Sequence, residues 1–140
     1  MPKMRSVLIV EDDNDIREIM VELVAHHGYE PRAARGGQEA LDLLNNGQCD
    51  EPCLILLDWA LPLMSGKEFL EMRRATDVIV PIPVIIISGT PPGALPLGAT
   101  KILRKPFDME SLFKDIDEYC DEAMIEKVVK TAVVVGKKAS

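Results

Sequence analysis

The chain has 140 residues, enough for one domain with a substantial core, and an ordinary globular composition. Its formal net charge of −7 argues against a general nucleic-acid binder, which would carry a basic face. No apolar run is long enough to span a bilayer, since the longest, Val78–Ser88, holds Pro81 and Pro83. The opening MPKMRSVLIV lacks a secretory cleavage pattern, so a cytoplasmic protein without membrane association is expected.

Val7–Val10 is a continuous apolar run rich in β-branched residues, which predicts a strand buried on both faces, as in a parallel sheet. After EDDND, the residues Ile16, Ile19, Met20, Leu23 and Val24 recur at helical spacing. Asn14 is the expected N-cap of that helix, Asp13 and Asp15 suit its positive end, and Gly28 is its expected stop. Glu30–Ala34 reads as a short, weak strand, broken by Gly36 and Gly37. Ala40, Leu41 and Leu44 mark a second helix ending near Gly47. Leu54–Leu57 is a second buried strand, closed by Asp58. Ser65-Gly66-Lys67-Glu68 has the form of a capping box and opens a third helix through about Arg74. Pro83–Ile87 and Ile102–Arg104 complete the strands, and Asp108 opens a long final helix. Between Ser88 and Lys105 stands GTPPGALPLGATKILR, whose three prolines and three glycines leave little room for a regular helix.

Strands alternating with helices predict an α/β fold: a doubly wound, five-stranded parallel sheet of flavodoxin-like order 2-1-3-4-5. In that order the first and third strands are neighbours, and ligands bind beyond their carboxyl ends. Glu11 and Asp12 follow the first strand and Asp58 ends the third, so three carboxylates should meet in one crevice. Mutual repulsion would disfavour this without a cation, and an all-oxygen set suits Mg²⁺ or Mn²⁺. Ser88 and Lys105 stand at the ends of the fourth and fifth strands. A hydroxyl and an ammonium beside a carboxylate-held cation form a plausible phosphoryl site, with Asp58 as the nucleophile that would become an aspartyl phosphate.

Three cysteines, Cys49, Cys53 and Cys120, are an odd number for a disulfide framework, and free, mostly buried thiols are expected. Cys49 and Cys53 could be half a metal site, but the adjacent His26 and His27 offer no second half.

VLIVEDD, LILLDWALPLMSG, PVIIISG and ILRKPF, in this order, resemble the receiver domain of two-component response regulators from about Arg5 to Asp121. The resemblance implies that Asp58 is the phosphoacceptor and that Asp12 binds Mg²⁺ directly. It implies that Glu11 acts on the metal largely through water, and that Ala60 contributes a backbone carbonyl. Ser88 would bind the phosphoryl group as the switch hydroxyl, and Lys105 would match the family's lysine. The Lys105–Pro106 bond would be cis, and Gly89 would leave the phosphoryl group accessible. The implied partners are a sensor histidine kinase or phosphotransfer protein upstream and a protein target downstream. No enzyme activity is implied beyond assisting its own phosphorylation and dephosphorylation.

Two departures fall on the output side. The family usually has Tyr or Phe three residues before the lysine; here Ile102 has no ring to swing. The family's fourth helix should be absent or reduced to one turn around Ala94. Any homodimer would therefore use a non-standard face. A receiver at 1–121 and a tail at 122–140, read as a helix extension without a DNA-binding output domain, are expected. A pseudo-receiver that no longer uses phosphate is the alternative. A haloacid-dehalogenase-type hydrolase would want Asp where Ala60 stands.

Overall fold

The computed structural model describes residues 5–45, 51–75 and 82–120. Through these the chain runs β1 (Ser6–Val10), α1 (Asn14–His26), β2 (Glu30–Ala34), α2 (Gly37–Asn45) and β3 (Leu54–Asp58). It continues through α3 (Gly66–Ala75), β4 (Val84–Ser88), β5 (Lys101–Arg104) and α4 (Met109–Cys120). The strands form one sheet in the order β2-β1-β3-β4-β5, with every pairing parallel. The continuous apolar runs form the three central strands, buried along their whole length, and the weaker runs β2 and β5 form the edges.

Alternation along each strand divides the core in two. Val7, Ile9, Leu54, Leu56, Ile85 and Ile87 pack against Met20 and Val24 of α1 and Leu112 and Ile116 of α4. Leu8, Val10, Ile55, Leu57, Val84 and Ile86 face Ala40 and Leu41 of α2 and Phe69 and Leu70 of α3.

Local signals set the helix boundaries. The N-cap of α1 is Asp13, whose Oδ1 accepts the Ile16 N–H at 3.0 Å; the expected cap, Asn14, is instead the first helical residue. Both side chains can cap, and the one that keeps extended backbone takes the role. At α3 the Ser65 hydroxyl accepts the Glu68 N–H at 3.1 Å and points its own hydrogen at the Glu68 carboxylate. Gly66 opens this helix because a Cβ there would lie 2.5 Å from the Trp59 ring. Gly28 stops α1 at φ +95°.

Residues 89–100, which join β4 to β5, contain no helix. The loop is held by Thr100, whose N–H donates to the Val84 carbonyl at 2.8 Å and whose Oγ1 accepts the Val84 N–H at 3.1 Å. Gly98 turns at φ +97° against Leu70 and Arg74 of α3, so this loop covers the end of α3.

The cysteine expectation is overturned. Cys53 and Cys120 are joined in a disulfide, with Cα atoms 5.2 Å apart and a sequence separation of 67. The start of β3 and the end of α4 lie at the same end of the sheet, because each helix runs back against the strands. Both residues are buried, as expected, but not as free thiols. Cys49 and Gly47 lie outside the described residues, as does the tail at 121–140. Reduction of the bond should lower stability by about 2–4 kcal/mol, because it releases a long loop in the unfolded chain. Urea denaturation with and without a phosphine reductant measures this; coincident curves contradict it.

Candidate functional site

The sheet register assembles the site. Val10 pairs with Leu57, so the next residues, Glu11 just past β1 and Asp58 at the end of β3, stand side by side. Ser88 ends β4 opposite Arg104, and the Lys105 N–H donates to the Ser88 carbonyl at 2.9 Å. One carboxylate oxygen from each of Glu11, Asp12 and Asp58 lies within 4.8 Å of the others. Lys105 Nζ stands 3.8 Å from Asp58 Oδ1. Glu11 and Asp58 are buried, at 5% and 7% exposure, while Asp12 faces solvent.

The crevice has apolar walls, including Ile16, Met20, Leu56 and Phe107. Burial there is the main cause that pushes the Glu11 carboxyl up to about 8; its hydrogen bond with Asp58 and the Asp58 charge add to this, and Lys105 opposes it. In the absence of a cation, burial thus favours the protonated form of the Glu11 carboxyl. Three convergent carboxylate oxygens, two from buried side chains, fit a hard divalent cation.

The other expected residues occupy distinct positions. The exposed Ala60 donates its N–H to Asp58 Oδ1 at 3.3 Å, closing a turn that holds the carboxylate. The buried Ser88 hydroxyl donates to the Thr90 carbonyl at 2.7 Å, within its own loop. The Lys105–Pro106 bond is cis. Ile102 is half-buried, pairs with Ile86 and packs on the α2–α3 side of the sheet, away from the convergence of Glu11, Asp58 and Lys105. The loop after Asp58 carries Leu63 at φ +64° and fully exposed.

Sequence reasoning passed over Arg17, whose guanidinium donates to the carbonyls of Glu11 and Asp12. Its signal was available: a cation in the first turn of a helix opposes the dipole and calls for a partner.

Residues 7–117 match the family model described as response regulator receiver domain. The transcriptional regulatory protein CrdR of Helicobacter pylori is 32% identical, over 87% of this chain and 58% of its own length. The phosphate regulon transcriptional regulatory protein PhoB of Escherichia coli is 32% identical, over 77% of this chain and 48% of its own. The chain thus spans about half the length of these relatives. Among solved structures, a CheY-like receiver domain protein from Methanospirillum hungatei superposes with a TM-score of 0.77 at 28% identity, covering 89% of this chain and 98% of that one. TrrA of Thermotoga maritima, solved in complex with Mg²⁺–BeF, gives a TM-score of 0.71 at 26% identity, covering 83% and 99%. The chain belongs to the response regulator receiver domain family.

Proposed function

We propose that this protein is a phosphorelay receiver that takes a phosphoryl group on Asp58 from a histidine kinase or phosphotransfer protein. The observation that carries the reading is the convergence of Glu11, Asp12 and Asp58 with Lys105 at one end of the sheet. Asp58 Oδ would attack phosphorus while the bond from phosphorus to the donor histidine nitrogen breaks, and that imidazole leaves neutral or picks up a proton from water. Hydrolysis of the aspartyl phosphate by water would reset the site. Glu11, Asp12, Asp58 and the Ala60 carbonyl would hold Mg²⁺ or Mn²⁺, which supplies positive charge against the phosphoryl oxygens. The Lys105 ammonium would meet a further phosphoryl oxygen. Ser88 would exchange its bond to the Thr90 carbonyl for one to the phosphoryl group, moving the loop after β4. That loop and β5 form the surface a protein target would read.

The protein acts through contacts rather than turnover of a separate substrate, without DNA contacts of its own, and resides in the cytoplasm. A pseudo-receiver is the second reading, favoured by Ile102 and by the helix-free loop at 89–100.

Intact mass after incubation with Mg²⁺ and a small acyl phosphate separates the two. A phosphate-sized gain is expected in the wild type and none in Asp58→Asn. A wild type that gains no mass and binds Mg²⁺ weakly or not at all refutes the receiver reading.

A further inference from the structure

We infer that Arg17 is a positioning residue that sets the β1–α1 loop for metal binding, and this rests on the receiver reading of the site. Arg17 is the fourth residue of α1, and helical side chains slant toward the helix N-terminus. Its guanidinium therefore reaches back past the cap. Nη1 donates to the Glu11 carbonyl at 3.0 Å and to the Asp12 carbonyl at 3.4 Å, and Nη2 donates to Asn14 Oδ1. One planar fork thus binds both residues whose carboxylates enter the crevice, together with the first residue of the helix. Its own N–H donates to the Asp13 carbonyl at 2.9 Å, so four consecutive residues, 11 to 14, are tied to this one position.

The loop needs such a clamp. The Glu11 N–H still pairs with the Ala34 carbonyl at 3.0 Å, which ends the sheet ladder on this side. Beyond it, the carbonyls of Glu11 and Asp12 accept hydrogen bonds from Arg17. With those carbonyls fixed, the peptide planes between Glu11 and Asp13 are fixed too, and with them the directions in which the two acidic side chains leave the chain. Repulsion among the three acids would otherwise turn the exposed Asp12 outward into water.

The sign of one effect distinguishes positioning from simple electrostatics. Arg17 is a cation close to a cation site. If it acted only through charge, removing it would strengthen Mg²⁺ binding. If it acts by holding the loop, removing it weakens binding, by about 10–100-fold, as is usual for groups that orient metal ligands. Lysine keeps the charge but lacks the fork, so Arg17→Lys should also bind more weakly than the wild type.

The test is Mg²⁺ titration of the full chain, read by calorimetry and by the fluorescence of Trp59, the single tryptophan and the neighbour of Asp58. Arg17→Ala and Arg17→Lys are compared with the wild type, with melting temperature and amide hydrogen exchange measured on the metal-free proteins. Weaker Mg²⁺ binding in both variants, with faster exchange confined to residues 11–14, is the expected result. At saturating Mg²⁺, phosphorylation by an acyl phosphate should return to within about threefold of the wild type, since the affinity and not the chemistry is lost. Unchanged or tighter Mg²⁺ binding in either variant overturns the inference, and so does a general loss of exchange protection across the sheet. A wild type that binds Mg²⁺ but takes no phosphoryl group overturns only the receiver reading; one that binds no Mg²⁺ overturns both.

Discussion

Without divalent cations the wild-type protein will lose roughly 2–4 kcal/mol of stability as the pH rises from about 5 to about 9, relative to Glu11→Gln. The sign follows from the Glu11 carboxyl, whose usual value of 4.5 is raised to about 8, chiefly by burial and then by Asp58. In the unfolded chain this group gives up its proton near its ordinary value. In the folded protein it keeps the proton until about 8. Between those values the unfolded state binds fewer protons, so its population grows with pH. The contribution is therefore whole at acid pH and is lost as pH rises through the folded value. The size is below the full conversion of the shift, because the crevice opens to water at Asp12. Glu11→Gln cannot ionise and lacks this slope. Mg²⁺ should abolish the difference, since a cation in the crevice favours the ionised carboxylate and displaces the proton. Urea denaturation at three pH values, in chelator and in Mg²⁺, measures it. Parallel pH profiles for the two proteins in chelator contradict the burial argument.

The same crevice shows why so much of the site was legible. Each central strand is an apolar run that stops at a polar residue, and parallel pairing brings those stops to one end. Glu11, Asp58, Ser88 and Lys105 could thus be placed together without coordinates. The lack of a helix at 89–100 was legible in composition: prolines at 91, 92 and 96 and glycines at 89, 93 and 98 leave no uninterrupted run for a helix interior. What could not be read depends on geometry across elements. Cys53 and Cys120 meet only once the strand order and the length of α4 are both fixed. Asp13 and Asn14 are equivalent as caps in sequence, and one residue of extended backbone decides between them. His27 stacks on Phe113 at 4.1 Å and shares Asp117 with Tyr29, a junction of α1 with α4 that no local pattern announces.

Lys101→Met will destabilise the protein by about 2–3 kcal/mol, and adding Asp115→Leu will recover most of that loss. Lys101 opens β5 and Asp115 lies on α4, with Nζ donating to Oδ1 at 2.7 Å. The two ends of the pair differ in surroundings: the Asp115 side chain is 5% exposed and that of Lys101 43%. The second Asp115 oxygen, Oδ2, is buried and has no hydrogen-bond partner among the described residues. Asp115 already carries a desolvation cost that one ammonium offsets, and the Asp115 carboxylate in turn raises the Lys101 pKa. Removing the lysine strands a buried carboxylate, whereas removing both charges leaves an apolar contact at the edge of the core that holds Leu112 and Ile116. Water reaching the exposed lysine reduces the expected cost below that of a fully buried pair. The location gives this pair a consequence for signalling. β5 is an edge strand, and on its α4 side Leu103 packs against the core that holds Leu112 and Ile116. Loosening this junction should leave Asp58 chemistry intact while disturbing the surface proposed to carry output. Lys101→Met should therefore take up phosphate from an acyl phosphate at the wild-type rate despite its lower urea midpoint. A single variant as stable as the wild type, or a double variant less stable than the single, contradicts the assignment of the pair as the tie between β5 and α4.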